Sequence, residues 1–261
     1  MALAGVALVA RGELKMKEKI IFCWSGGKDS ALALNRIRQD DRCEVVTLLT
    51  TCNEHFQRVS MHGVRVELLE QQAAATGLPL EKVFVSERGT NEEYQQKMSG
   101  CLRAHQSRGV TACAFGDIFL EDLKLWREAN LARVGMHGLF PLWKTDSREL
   151  IREFFALGFG TVICCVNDAY LGQDAVGRRL DPAFIASLPA GVDPCGENGE
   201  FHSFAFAGPV FRQPVEFKIG EKVFRPIGLA QPVDASSSCV CPPGPRRTNG
   251  FWFCDLLPGA A

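Results

Sequence analysis

The sequence lacks any long run of apolar residues, carries almost no net charge and contains no pair of cysteines spaced as C-x-x-C. A membrane-spanning helix needs about 18 apolar residues in a row, so we expect a soluble, cytoplasmic protein with no membrane partner. The formal net charge of −1 provides no basic field for a phosphate backbone, so we expect no nucleic acid partner. Because the chain has no C-x-x-C motif, we also expect no iron–sulfur cluster.

Cysteine itself is not scarce, because the chain has eleven. They are scattered through apolar runs of a 261-residue chain, which is typical of reduced thiols rather than of a small disulfide-stapled domain. We interpret Cys101, Cys113 and Cys195 as small buried hydrophobes. Residues 239–241, CVC, together with Cys254 offer fewer than four zinc ligands, so we predict no metal site there.

Short β-rich runs alternate with helical patterns in the first half of the chain. The runs lie at residues 20–24, 45–51, 82–85 and 112–116, and the helical patterns between them lie at residues 31–38, 63–76 and 91–106. This alternation predicts an α/β fold with a parallel sheet that is covered by helices on both faces.

The pattern changes after about residue 137. A helix at residues 147–157, capped by Asp146 or Thr145, precedes a strand at residues 161–166, and residues 215–227 have the pattern of a hairpin. From residue 230 onward Pro, Gly, Ser and Arg dominate, a composition that cannot bury enough apolar surface to order itself. We predict an N-terminal extension at residues 1–17, with a natural start at Met16, a first domain at 18–137, a smaller α+β domain at 138–228 and a flexible tail at 229–261.

A loop rich in glycine and hydroxyl side chains follows the first apolar run. Residues 24–34 read WSGGKDSALAL and come directly after IIFC at residues 20–23. A glycine-rich turn between a strand and a helix exposes backbone N–H groups at a helix N-terminus, so anionic oxygens are favoured there. The Walker pattern does not fit, because its glycines are separated by four residues. The alternative is an ordinary glycine-rich turn in which the Asp caps the helix. That alternative does not account for the presence of Ser25 and Ser30.

The string SGGKDS at residues 25–30 resembles the PP-loop signature of the ATP pyrophosphatase superfamily. The resemblance implies that the loop holds the pyrophosphate of ATP while the α-phosphate is attacked. Lys28 would then neutralise charge on the phosphates, and Asp29 would hold Mg²⁺ with them. The implied ATP-binding residues of the loop are Ser25, Gly26, Gly27, Lys28, Asp29 and Ser30.

Five further segments, taken in order, resemble the diphthine–ammonia ligase family. They are residues 47–51, 61–65, 116–128, 140–143 and 195–211. The resemblance extends over residues 18–228. It implies an adenine nucleotide alpha hydrolase-like (Rossmann-like) ATP-binding domain followed by a smaller α+β domain. Archaeal and eukaryotic members of that family make the amide of diphthamide from diphthine, ATP and ammonium.

The ligands of an open parallel sheet lie beyond the carboxyl ends of its strands. The resemblance places Thr50 near the adenine, although strand propensity alone also explains a threonine there. It places Gly116 and Asp117 near the ribose and phosphates, with Asp117 as a second carboxylate for Mg²⁺. His62 is predicted to contact the nucleotide or to cap a helix. Glu121 is predicted to bind substrate or to favour the start of a helix.

Residues 193–204, DPCGENGEFHSF, form a second candidate segment. Glu197 and Glu200 are predicted to orient or deprotonate ammonium, and Asn198 and His202 to bind a carboxylate or its oxyanion. The alternative is a tight turn with Glu200 exposed. The family pattern is E-G-G-E-[FY]-E-[TS], so Asn198 and His202 replace a glycine and an acidic residue. The ENGEFH form resembles a bacterial branch, which implies a carboxylate other than diphthine, with a cobalamin-related acid as one hypothesis.

Together these features predict an ATP-dependent, AMP-forming carboxylate–ammonia ligase. A substrate carboxylate attacks the α-phosphorus, pyrophosphate leaves, and ammonia converts the acyl-adenylate to an amide. The sequence has no glutaminase signature, so free ammonium is the expected nitrogen source. Two alternatives stay open, a PP-loop enzyme that modifies tRNA and a sensor that binds ATP or AMP without turnover. The oligomeric state is also open, a homo-oligomer included.

Overall fold

The computed structural model describes residues 16–86, 90–227 and 248–259. Sheet A contains β1 (Glu18–Cys23), β2 (Cys43–Asn53), β3 (Arg58–Val59), β4 (Leu80–Val85), β5 (Ala112–Ala114) and β6 (His137–Leu139). Its parallel strands lie in the order β4-β2-β1-β5-β6, and the short β3 pairs antiparallel with the end of β2. The predicted Rossmann-like α/β fold is confirmed.

Helices cover both faces of sheet A. Continuous apolar runs in its strands expose apolar side chains on both faces of the sheet, and these need to be buried. On one face Ile20 and Phe22 pack with α1 (Lys28–Gln39) and α2 (Val66–Thr76). On the other face Ile21 packs with α3 (Asn91–Gln106) and α4 (Glu121–Ala132). Successive residues of β1 therefore point to opposite cores, and the central strand is buried on both sides.

The second sheet is antiparallel and smaller. Sheet B has the order β8-β7-β10-β9, with β7 (Gly160–Asn167), β8 (Phe201–Ala207), β9 (Phe217–Pro226) and β10 (Gly250–Pro258). The chain reaches it through α5 (Ser147–Ala156), and the short α6 (Pro182–Ala186) lies between β7 and β8. Asp146 is the cap of α5, since its carboxylate accepts from Arg148 N at 2.9 Å and from Glu149 N at 3.1 Å.

Two predictions about the C-terminal part are wrong. Residues 215–227 do not form a hairpin, because β9 is one continuous strand that pairs with β10 along its length. The tail is not flexible throughout, because β10 lies inside sheet B between β7 and β9. Its sequence GFWFCDLLP is apolar except for Asp255, and Cys254 and Leu256 are buried, which explains why this strand forms. Residues 1–15 and 228–247, including the CVC motif, lie outside the described residues.

Sheet B packs against the α1/α2 side of sheet A. A single cluster of buried apolar side chains joins the two sheets. It contains Phe22 of β1 and Leu34 of α1 together with Ile163 of β7 and Phe204 of β8. The predicted boundary at residue 137 stays a prediction. Within the described ranges, none of the helices combines the length and apolar character that crossing a membrane requires.

Candidate active site

The predicted loop lies at the carboxyl end of β1 and leads into α1. Gly26 has a left-handed φ of +78°, and a Cβ at this position would lie 2.5 Å from Gln72 Oε1. Gly27 is the N-cap of α1, and a Cβ there would lie 3.0 Å from His62 Cε1. Both glycines are therefore required, the first by its backbone conformation and the second by close packing.

The two loop serines form a closed ring of hydrogen bonds. Gly27 N donates to Ser25 Oγ at 3.2 Å, Ser25 Oγ donates to Ser30 Oγ at 3.1 Å, and Ser30 Oγ donates to Gly27 O at 3.0 Å. The ring shapes the turn at the helix N-terminus, where backbone N–H groups and the helix dipole favour an anion.

Strand β8 holds the loop in place through hydrogen bonds. Ala205 N donates to Gly26 O at 2.8 Å, and Lys28 N donates to Ser203 Oγ at 3.2 Å. The fully buried Gln72 donates from Nε2 to Gly26 O at 2.9 Å and to Ala205 O at 2.6 Å, and its Oε1 accepts from Trp24 Nε1 at 3.1 Å. Sheet B therefore helps to shape the loop of sheet A.

Lys28 is 3% exposed and links the loop to the second candidate segment. Its Nζ donates to the two oxygens of Asp29, at 2.9 and 2.7 Å, and to Cys195 O. Burial opposes the charge on Lys28, but the Asp29 carboxylate, with Cys195 and Glu197 close by, raises the pKa of Lys28 above its ordinary value. Lys28 is therefore charged at neutral pH.

Glu200 is 1% exposed and organises the turn before β8. Its Oε1 accepts from Asp193 N at 2.9 Å and from Asn198 Nδ2 at 3.2 Å, and its Oε2 accepts from Asn198 N at 2.9 Å. The alternative of an exposed Glu200 is wrong. Its catalytic role stays a prediction, but these contacts favour a role in holding the turn.

Glu197 extends from this turn to the end of β5. Its Oε1 accepts from Ile118 N at 2.8 Å. Burial and the nearby Asp29 carboxylate raise the pKa of Glu197 to about 8. A carboxyl group with such a pKa exchanges a proton close to neutral pH, which suits general acid–base chemistry.

The two predicted histidines pack against each other beside Gly27. The ring centroids of His62 and His202 are 4.6 Å apart, and His62 Nδ1 lies 3.3 Å from Ser203 O. Burial lowers the pKa of His62 to about 4, and burial with His62 nearby also lowers the pKa of His202. Both rings are therefore neutral at pH 7 and can each donate one hydrogen bond.

The remaining predicted residues differ in where they lie. A Cβ at Gly116 would lie 2.9 Å from Ser30 N, so this glycine lets the loop approach β5. The Asp117 carboxylate accepts two hydrogen bonds from Arg127, one from Nε at 2.7 Å and one from Nη2 at 3.3 Å. Thr50 donates to Trp24 O at 2.5 Å inside the core. Glu121 is exposed, 3.5 Å from Lys144 Nζ.

Three residues at this site could not be recognised as its members from the sequence. Gln72 interrupts the apolar face of α2, which is a signal for a buried polar contact, and Ser203 supplies both its hydroxyl and its carbonyl. Arg127 holds Asp117 and lies 4.4 Å from the ring centroid of Phe115.

A mostly parallel sheet with a glycine-rich loop at the carboxyl end of its central strand defines a Rossmann-like α/β nucleotide-binding fold. Residues 18–138 match the family model of the diphthamide synthase N-terminal domain, and residues 146–231 match that of the diphthamide synthase C-terminal domain. The chain belongs to the diphthamide synthase family.

Several curated relatives are named diphthine–ammonia ligase. The protein from Rattus norvegicus is 25% identical over 237 residues, which cover 80% of this chain and 86% of the relative. The protein from Mus musculus is 23% identical over 237 residues with the same coverage. The protein from Homo sapiens is 24% identical over 197 residues, which cover 68% of this chain and 70% of the relative.

Proposed function

We propose that this protein is an ATP-dependent ligase that adenylates a substrate carboxylate, releases pyrophosphate and transfers ammonia to form an amide and AMP. The observation that carries the proposal is the position of the SGGKDS loop, which meets the Glu197–His202 segment across the two sheets. The names of the relatives support the same reaction class.

ATP is proposed to bind at the carboxyl edge of sheet A. The turn at residues 25–30 presents the α1 N-terminus to the pyrophosphate, and charged Lys28 neutralises part of its charge. His62 and Gly116 line the same loop, one on each side. The hydroxyl of Thr50 is bonded to Trp24 O, so any adenine contact of Thr50 would need its backbone or its methyl group.

The donor groups near the loop suit Mg²⁺ in chemical type, because it prefers carboxylate and phosphate oxygens. Both predicted carboxylates accept hydrogen bonds from a basic side chain, Asp29 from Lys28 and Asp117 from Arg127. The Asp29 side chain is 29% exposed and that of Asp117 13%, so we assign the larger part to the more accessible Asp29. When bound, Mg²⁺ would supply charge neutralisation to the phosphates.

The chemistry has two steps. An oxygen of the substrate carboxylate forms a bond to the α-phosphorus while the bond to pyrophosphate breaks. Ammonia then attacks the acyl carbon, and AMP leaves with the carboxylate oxygen. Glu197 is proposed to take the proton that the attacking nitrogen loses, since its pKa of about 8 is close to neutral.

The substrate is proposed to be a carboxylate other than diphthine. Neutral His202 and the amide of Asn198 replace an acidic residue and a glycine of the family pattern. A neutral donor at position 202 removes the negative charge that the family pattern places beside its substrate, which favours an acid whose neighbouring groups differ from those of diphthine. Free ammonium is the proposed nitrogen source, and a cobalamin-related acid is one candidate substrate.

The test is an assay with ATP, Mg²⁺, ammonium and a panel of carboxylic acids that includes diphthine and corrinoid acids. We expect equal amounts of AMP, pyrophosphate and amide, formed only when an acid is present. Asp29→Asn should abolish turnover, and Asp41→Asn, which changes an exposed carboxylate elsewhere, should not. ADP release, turnover without any acid, or tight AMP binding without turnover would contradict the proposal. The last result would favour a sensor, and product formed on tRNA would favour a tRNA-modifying enzyme.

A further inference from the structure

A second group of chemically reactive side chains lies outside the candidate active site, between α3 and β4. Cys101 Sγ, a ring nitrogen of His105 and a carboxylate oxygen of Glu81 lie within 4.8 Å of one another. Cys101 Sγ donates to Glu81 Oε1 at 3.0 Å, and His105 Nε2 lies 2.5 Å from Glu81 Oε2. None of the three side chains takes part in the loop contacts described above.

The backbone brings these three side chains to one point. Cys101 and His105 are four residues apart on α3, so they project from the same side of the helix. Glu81 is the second residue of β4, and it points to the face that α3 covers, like Val83. His105 is buried, and Cys101 and Glu81 are half-buried.

A thiol, an imidazole and a carboxylate are the three side-chain ligand types of zinc. Tetrahedral zinc bonds of 2.0 to 2.3 Å place neighbouring ligand atoms about 3.3 to 3.8 Å apart. The two contacts of Glu81, at 3.0 Å to Cys101 Sγ and 2.5 Å to His105 Nε2, are shorter than these values, so zinc binding would move the three side chains apart by up to about 1 Å. Metal binding would replace the two hydrogen bonds to Glu81. The Cys101 thiol would release its proton to solvent, and His105 would bind as the tautomer that carries its proton on Nδ1, which leaves Nε2 free for the metal.

A cavity of about 450 Å³ opens beside the cluster. Glu81 and His105 line it, together with Lys19 and Arg108. The cavity leaves room for a fourth ligand, either water or an anion that the two basic side chains would attract. Three protein ligands and one open position are the arrangement of catalytic zinc sites, whereas structural zinc sites are closed by a fourth protein ligand.

We propose that Glu81, Cys101 and His105 form a zinc site whose fourth position faces this cavity. The sequence led us to interpret Cys101 as a small buried hydrophobe, but its thiol is half-buried and bonded to a carboxylate. Zinc held there ties α3 to β4 and does not depend on the ligase reaction.

The test is a titration of the chelator-treated full chain with Co²⁺, followed by displacement with Zn²⁺. We expect one equivalent of Co²⁺ with a thiolate-to-metal charge-transfer band, lost on adding Zn²⁺. Cys101→Ser should abolish the band. His105→Gln and Glu81→Gln should each weaken binding by at least about 10-fold, the size of effect known even for residues that only support a ligand.

Two controls make the result specific. Cys43→Ser changes another half-buried cysteine, and the double variant Cys239→Ser, Cys241→Ser removes the CVC motif, so both should keep the band. The same zinc concentration should raise the melting temperature of the wild type and of both controls by more than that of His105→Gln. No binding by the wild type, or a band that survives in Cys101→Ser, would overturn the proposal, as would a band lost only with the CVC motif.

Discussion

The backbone N–H of Lys28 donates to the hydroxyl of Ser203 at 3.2 Å, although 175 positions separate them in the sequence. The bond joins the first residue of α1 to the middle of β8, so the loop is held by sheet B as well as by its own turn. Ser203→Ala leaves that N–H without its side-chain partner. We expect a loss of about 1 kcal/mol in the free energy of unfolding and a higher KM for ATP.

Chemical denaturation and steady-state kinetics measure both effects. Ser107→Ala is the matched control, because its hydroxyl donates only to Ala104 O on an exposed helix end. A Ser203→Ala enzyme with the KM of the wild type would contradict a role for sheet B in shaping the loop.

Gly26→Ala should lower the free energy of unfolding by more than the cost of placing an alanine in a left-handed backbone conformation. The left-handed conformation costs an alanine about 1 to 2 kcal/mol. At Gly26, with a φ of +78°, the new Cβ would also displace Gln72. Gly109→Ala is the matched control, since Gly109 has a φ of +86° and open space around the added Cβ. Equal melting temperatures for the two variants would show that the contact with Gln72 contributes nothing.

Asp255→Asn should loosen the segment that carries His62. The Asp255 carboxylate in β10 accepts from Arg65 at 3.0 and 2.7 Å and pairs with Arg58 at 2.9 Å, and Phe253 packs against Gly63. Hydrogen bonds to a charged group are worth more than neutral ones, so we expect a loss of about 2 kcal/mol in the free energy of unfolding. Asp41→Asn, at an exposed site, should leave the unfolding midpoint unchanged.

The contribution of Asp255 should depend on pH with a defined sign. The hydrogen bond from Arg65 holds the pKa of Asp255 below its ordinary value in the folded protein. Its stabilisation is therefore fully present above the ordinary pKa of an aspartate and is lost as the pH falls through the lower, folded value. The stability difference between wild type and Asp255→Asn should be constant from pH 7 to about 5 and shrink below about pH 4. A difference that grows on acidification would refute this assignment.

Glu197→Gln should change the pH profile of amide formation. If Glu197 accepts the proton of the attacking nitrogen, the rate rises as the pH passes its pKa of about 8. Hydroxylamine, which is neutral over this range, should replace ammonium so that the nucleophile itself does not titrate. We expect this rise in the wild type and in the surface variant Glu54→Gln, and a flat, slower profile in Glu197→Gln. An unchanged rise in Glu197→Gln would exclude Glu197 as the base.

Short-range sequence signals made most helices and strands of sheet A and its covering layers predictable. Helix α3 begins and ends at the predicted residues because Thr90 caps it, accepting from Glu93 N at 3.2 Å, and basic residues occupy its last turn. The SGGKDS loop was recognisable because all its internal contacts lie within six residues. Ser203, Gln72 and Arg127 were not recognisable as site residues, since their roles depend on partners that the fold brings together.

The C-terminal errors also have a physical cause. Gly220 lies in the stretch that predicted a hairpin, but it does not have a positive φ. A Cβ there would lie 2.9 Å from Asp255 O, so this glycine serves close packing against β10 rather than a turn. The strand β10 was missed because the polar composition of residues 231–250 outweighed the apolar residues 251–257, whose pairing partners lie far away in the sequence.

The most direct test of the central claim is to follow oxygen from the substrate to AMP. A substrate acid labelled with ¹⁸O in its carboxylate is incubated with ATP, ammonium and the enzyme, and the nucleotide is analysed by mass spectrometry. Adenylation predicts one ¹⁸O atom in AMP for each amide formed, with none in pyrophosphate. Unlabelled AMP, or ¹⁸O found in inorganic phosphate together with ADP, would contradict it.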